Sequence, residues 1–328
     1  MSFKGYIAKR VAFTVLTIFV IISINFFLFR VVPGDPVRLM LRSPKAGQEA
    51  LAWLEKQFGL DKPLWMQYFI YIKETFLGDL GWSFGYNEPV LNVIANRLPY
   101  TILLVGSAAV ISTVIGIIFG AISGWKKGTK LDLTIFGFSV VTTWLPSFWL
   151  GMIFLMVFSC WLDMFPLGGI TTPAVSFSSI FDYWADVLWH MTLPLVNLLF
   201  WYLGEYVILM RSSMIDVLTE DYIVTARAKG LSEPVILRDH AVRNALLPVI
   251  TLTTINLGYV VAGAIQTEVV FSWPGLGRLM YDALMMRDYP LLQGTFFILA
   301  VSVVAANFFA DLIYGYLDPR VRVGGYEK

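Results

Sequence analysis

Six long stretches of this chain carry no charge, and that spacing decides what it can fold into. No Asp, Glu, Lys or Arg falls in the 19 positions between Arg10 and Arg30, the 28 between Arg97 and Lys126, or the 30 between Asp132 and Asp163. The same holds for the 18 between Asp186 and Glu205, the 24 between Arg243 and Glu268, and the 22 between Asp288 and Asp311. About 20 apolar residues in a helix cross the hydrocarbon core of a bilayer. In lipid, every backbone polar group must be satisfied within the protein, which selects helices. The sequence therefore predicts an all-α membrane protein with about six transmembrane helices, near 9–30, 98–125, 132–161, 187–211, 244–270 and 290–316. Pro194 either starts or kinks the fourth, and Glu205 lies inside it. Composition agrees: 14% of residues are charged and mean hydropathy is +0.70, whereas soluble domains carry about a quarter charged residues.

The first span follows Lys4, Lys9 and Arg10 and is followed by Arg30-Val31-Val32-Pro33-Gly34-Asp35, with no small-residue cleavage site. That pattern predicts an uncleaved signal anchor. Lys and Arg in short loops set orientation. With the N-terminus in the cytosol, the cytosolic segments hold Lys4, Lys9 and Arg10, then Lys126, Lys127 and Lys130, then Arg211, Arg227, Lys229, Arg238 and Arg243, then Arg320, Arg322 and Lys328. The short loops opposite hold only Arg278 and Arg287. Both termini are therefore expected in the cytosol. The chain divides into a first helix (1–30), an external loop subdomain (31–97), a transmembrane core of five helices (98–318) and a cytosolic tail (319–328).

Two extramembrane segments have helical patterning. In the external loop, Glu49 to Phe58 reads as a short amphipathic helix stopped near Gly59, and a second helix is expected from Leu64 to Phe76, starting near Pro63. In the cytosolic segment 211–243, Thr219 to Gly230 suits a short helix with acids in its first turn, bases in its last and Gly230 just past its end. Ser232-Glu233-Pro234 then caps a helix that runs through His240 into the fifth span. This geometry suits either a lever that a cytosolic partner pushes or an ordinary amphipathic surface helix.

Within the spans, Ala108, Ser112, Gly116, Gly120 and Gly124 recur every fourth residue, a face that lets two helices approach closely. Thr253, Asn256, Gly263, Gln266 and Thr267 form a rough polar stripe on the fifth span, suited to lining a transport pathway or to interhelical hydrogen bonding. Glu205, Glu268 and Asp311 interrupt apolar helices, and such acids usually face protein or water. Glu268 is near enough to the external end to lie at the interface. Arg211 is a candidate partner for Glu205, as is a second subunit.

Catalytic chemistry finds little support. His190 and His240, the two histidines, fall on opposite sides of the membrane in this topology, and neither belongs to a metalloprotease motif. The lone Cys160 excludes an internal disulfide and most cysteine-based metal sites. Gly81-Trp82-Ser83-Phe84-Gly85 has nucleophile-elbow spacing, but a predicted helix precedes it rather than a strand. A net charge of +1 gives no field for nucleic acid. A phosphate-binding G-x-x-x-x-G-K-[ST] loop is absent from the sequence. An ion-coupled secondary transporter is the rival from another class, but neither repeated halves nor a relay of buried acids is evident.

The run Asp221-Tyr222-Ile223-Val224-Thr225-Ala226-Arg227-Ala228-Lys229-Gly230-Leu231-Ser232, followed by Arg243-Asn244-Ala245-Leu246-Leu247-Pro248, resembles the cytosolic signature loop of permease subunits in binding-protein-dependent ABC importers. Similarity to their oligopeptide/dipeptide (peptide/nickel) branch runs nearly end to end. It includes Pro33-Gly34-Asp35-Pro36, Gly59-Leu60-Asp61-Lys62-Pro63, Gly78-Asp79-Leu80-Gly81, Phe271 to Arg278, Arg287-Asp288-Tyr289-Pro290 and Asp318-Pro319-Arg320. The general loop opens Glu-Ala-Ala. Here Val224, Thr225 and Ala226 stand in that place, so the carboxylate contact of the general pattern does not carry over.

The resemblance implies a type I importer permease in a prokaryotic cell membrane. Its partners would be a second permease, two cytosolic ATP-binding subunits carrying ATP and Mg, an external substrate-binding protein and membrane lipid. Asp221, Tyr222, Thr225, Ala226, Arg227, Ala228, Lys229, Gly230 and Leu231 would couple to the ATPase. The cargo would be oligopeptides or dipeptides, with oligosaccharides or nickel as alternatives within the same machinery.

Overall fold

The computed structural model describes residues 3–31, 61–260 and 264–317. The expected helix at 49–58, the motif Pro33-Gly34-Asp35-Pro36, Gly263 and the segment from Asp318 onward lie outside these residues, as does the side chain of Asp311. The helices are α1 (Phe3–Val31), α2 (Leu64–Phe76), α3 (Val90–Trp125), α4 (Lys130–Trp144), α5 (Ser147–Trp161), α6 (Ile180–Leu218), α7 (Asp221–Ala228), α8 (Arg243–Tyr259), α9 (Ile265–Val270), α10 (Leu276–Met286) and α11 (Tyr289–Leu317). A two-residue antiparallel pair, β1 (Trp82–Ser83) with β2 (Glu88–Pro89), precedes α3. Four described helices, the first span, α3, α6 and the last, are long and apolar enough to cross a membrane, or five if α4 and α5 count as one broken span.

The third span departs from the single helix expected over 132–161. Its two halves, α4 and α5, meet at a 100° bend. Leu145 takes an extended conformation (ψ 130°) before Pro146, as proline's ring disfavours the helical conformation at the residue before it. Over the fifth span the described residues form two helices, α8 ending at Tyr259 and α9 starting at Ile265 after a non-helical Ala264. The fourth runs unbroken from Ile180 to Leu218, with Pro194 inside the helix rather than at its start. The second span begins eight residues earlier than the expected 98, at Val90.

Chain contacts form two units. The first comprises residues 1–99 and 275–328. In it α1 packs along α11, and α2 lies against the C-terminal half of α1 through an aromatic cluster of Phe26, Phe27, Tyr68 and Tyr71. Asn25 is 7% exposed and donates to the Tyr71 hydroxyl and the Gln293 carbonyl, so a polar group in an apolar helix is satisfied. Asp288 caps α11: its Oδ1 accepts from Leu291 N, while Oδ2 accepts from Ser83 Oγ at 2.6 Å and Gly85 N at 2.8 Å.

The second unit, residues 100–274, is built on α3 and α6. Ala108, Ser112, Gly116, Gly120 and Gly124 are all buried. A Cβ on Gly120 would stand 2.6 Å from Met210 Cβ, and one on Gly124 2.6 Å from Met214 Cβ; Gly116 abuts Tyr206 more closely still. The four-residue stripe thus forms the seam with α6, and it brings the two backbones together as small residues do in membrane helices. Glu268 is fully buried and accepts a hydrogen bond from Thr101 Oγ1 at 2.9 Å. That placement replaces the interfacial one, because a hydroxyl partner inside the protein satisfies the acid that lipid would not.

Candidate functional site

Beyond α6 the chain turns at Thr219–Glu220 and forms α7, whose two faces differ. Ile223 and Ala226, three residues apart, are buried and belong to the main apolar cluster with Ile236, Ala241 and Met214. Asp221, Tyr222, Val224, Thr225, Arg227, Ala228 and Lys229 are exposed. An i, i+3 pair on one side of a short helix is the minimum stripe that seats it. Partial desolvation and the nearby Glu220 carboxylate raise the Tyr222 pKa above the ordinary phenol value.

The end of α7 is a Schellman turn. Gly230 N donates to Arg227 O at 2.9 Å and Leu231 N to Ala226 O at 3.3 Å, with Gly230 in the left-handed region at φ +78°. Arg227 Nε reaches across the turn to Glu233 Oε1 at 3.1 Å. Residues 233–242 then lead into α8 without a break, passing through a π-helical stretch at Ile236–Val242. Ser232 holds the N-cap position expected of it but makes no side-chain capping bond; its carbonyl accepts from Val235 N and Ile236 N instead. All nine residues expected to couple, Asp221 to Leu231 with Ile223 and Val224 excepted, lie on this helix-and-turn, and Ala226 faces inward.

A hub at the same end of α6 escaped sequence reasoning. Asp132 accepts from Arg211 Nε at 2.7 Å, Arg211 Nη2 at 2.9 Å, Ser123 Oγ at 2.6 Å and Gly128 N at 2.9 Å. Arg211 also lies 4.5 Å from the Phe136 ring centroid. One carboxylate therefore ties the end of α3, the turn after it, the start of α4 and α6. It takes up the guanidinium that sequence reading offered to Glu205. The available signal was that Asp132 opens the expected third helix and Arg211 closes the expected fourth, both on the same expected side.

The candidate pathway residues are dispersed. Thr253 and Asn256 are half-buried, with Thr253 Oγ1 bonded to Val249 O of its own helix and Asn256 Nδ2 3.3 Å from the Tyr206 hydroxyl. Gln266 is exposed and accepts from Ser147 Oγ at 2.7 Å, beside the bend of the third span. Thr267 is buried and accepts from Asn197 Nδ2 at 3.0 Å. Ser83 of the elbow-like motif is a buried donor to Asp288 in a strand that leads to a hairpin, not to a helix, so it serves packing. Among the described residues, no group of three or more His, Cys, Asp or Glu is placed to hold a metal ion.

Two family models match the chain. The model described as binding-protein-dependent transport system inner membrane component covers residues 116–323, and the N-terminal model of the same membrane components covers residues 3–105. The dipeptide transport system permease protein DppB of Escherichia coli (strain K12) is 37% identical over 97% of this chain and 98% of its own length. The oligopeptide transport system permease protein AppB of Bacillus subtilis (strain 168) is 37% identical over 97% and 99%. The di/tripeptide transport system permease protein DppB of Pseudomonas aeruginosa (strain UCBPP-PA14) is 35% identical over 97% and 98%. With apolar helices throughout and these matches over nearly its full length, the chain belongs to the family of inner-membrane permease components of binding-protein-dependent ABC importers.

Proposed function

We propose that this chain is one permease half of an ATP-driven importer of dipeptides or oligopeptides. It works with a second permease, two cytosolic ATPase subunits that bind ATP and Mg, and an external substrate-binding protein. The observation that carries this reading is α7: one face seated on the main apolar cluster, the other exposed, and a stiff turn leading into α8. A partner that grips the exposed face moves the end of α6 and the start of α8 together. Differential binding of ATP to the two states of the complex then drives exchange between outward-open and inward-open forms. The peptide cargo is supported by the names of the relatives in three organisms. Six spans with both termini cytosolic fit this scheme, with α4–α5 and α8–α9 each counted as one crossing.

The test is purification of the tagged chain in detergent from its own host, with mass spectrometry of its companions, followed by reconstitution with the external binding protein. Recovery of a second permease and ATPase subunits, and ATP-dependent uptake of labelled dialanine, are expected. A chain that purifies alone and transports on an ion gradient overturns the proposal in favour of a secondary transporter.

A further inference from the structure

Glu205 lies well inside the 39-residue helix α6, six positions before Arg211. It is exposed, and no hydrogen bond or ion pair reaches it among the described residues. The nearest guanidinium along the helix, Arg211, is held by both carboxylate oxygens of Asp132. An ionised acid at this depth is unfavourable against lipid and is found facing water or protein.

The helix itself says which way Glu205 faces. At about 100° per residue, Asn197 and Gly204 point to one side, where Asn197 meets Thr267 and Gly204 meets Thr143. Tyr206 points to another, packing on Gly116 and meeting Asn256 of α8. Glu205 and Trp201, one turn apart, fall in the sector between them, and Trp201 is 45% exposed. On the two sides of that sector, Tyr206 meets half-buried Asn256 of α8, and Asn197 meets Thr267, whose neighbour Gln266 is exposed and bonded to Ser147. A carboxylate with an indole beside it is a pairing that attracts an ammonium group through charge and through the ring face.

Resting on the peptide-importer reading, we propose that Glu205, with Trp201, recognises the free α-ammonium group of the peptide as it passes through the membrane. The carboxylate stays hydrated in the pathway until the cargo arrives. Peptides of differing side chain share that one cation, so a single acid serves cargo of varied sequence.

The test uses the complete transporter in liposomes, with labelled dialanine as cargo and variants Glu205→Asp, Glu205→Gln and Glu205→Lys. Three readings are taken: recovery of partner subunits, ATP hydrolysis and uptake. Uptake should fall in the order Glu, Asp, Gln, Lys, with the Gln variant down about tenfold, the size of a lost charged hydrogen bond. Subunit recovery should not change, and ATP hydrolysis should stay within about twofold, below the size of one such bond. Uptake by the Gln or Lys variant at the wild-type rate overturns the assignment. So does loss of partner subunits from these variants, which would make Glu205 an anchor for a basic residue of the second permease. A wild-type complex that assembles with its ATPases but imports no dialanine overturns the peptide reading itself, before any variant is compared.

Discussion

Glycine has opposite uses along the α3–α6 seam and at the end of α7. In the seam, Gly116, Gly120 and Gly124 are there because no side chain fits; a Cβ at Gly120 would also stand 2.8 Å from the Val207 carbonyl. After α7, a Cβ on Gly230 would meet nothing within 4 Å, and glycine is there because its φ is +78°. One region is closed by packing and the other is open but fixed by backbone conformation. A close-packed seam does not deform continuously, so on the proposed lever a push delivered at the exposed end would be passed along α6 rather than absorbed. The two regions therefore answer differently to substitution: the seam through assembly, the turn through coupling.

The largest effect expected is at the seam. Gly120→Glu drives a side chain into Met210 and Val207 and places a charge between two apolar helices. Overpacking alone costs about 1–3 kcal/mol, and the unpaired charge adds several more. The variant should fail to give a monodisperse complex in detergent. An assembled and active Gly120→Glu complex would break the contrast, because the seam would then have slack.

Gly230→Val tests the other side of the comparison. Space is open, so the cost is conformational only, about 1–2 kcal/mol for a left-handed L-residue. The protein should remain in the membrane with its partners. ATP hydrolysis should persist while uptake falls, because the turn fixes the angle between α7 and α8. Normal ATP-to-uptake stoichiometry in this variant would remove the lever role of the turn.

Much of this contrast was legible in the sequence, for local reasons. The seam announced itself through small residues at a four-residue spacing, which is the repeat of a helix face. α7 announced itself through acids at its start, bases near its end and a following glycine, and α2 through Pro63 at its N-cap. What was not legible depends on distance along the chain or on context. The charge-free run 133–162 passes through Pro146 without interruption, so hydropathy counts one span where the backbone turns by 100°. α6 runs on to Leu218, because polar residues outside lipid continue a helix as readily as apolar ones inside it. Asp132 and Arg211 are 79 positions apart, and nothing local favours that pair over Glu205 with Arg211. Glu205 was visible as an interruption, but its exposure was not.

The smallest expected effect sharpens the comparison most, because it separates the turn's backbone from its side chains. Arg227 and Glu233 bridge the Gly230 turn at 3.1 Å, and their side chains are 45% and 54% exposed. Ion pairs this open to solvent contribute about 0.2–1 kcal/mol and are screened by salt. Arg227→Ala should therefore leave the thermal midpoint of the detergent-purified complex nearly unchanged, with any difference vanishing at high salt. If the Schellman turn alone sets the angle between α7 and α8, uptake per ATP in this variant should match the wild type when Gly230→Val does not. A coupling defect in Arg227→Ala equal to that of Gly230→Val, with stability unchanged, would move the role from the glycine's conformation to the arginine's contact with an ATPase subunit. The exposed guanidinium, rather than the turn beneath it, would then be what the partner grips.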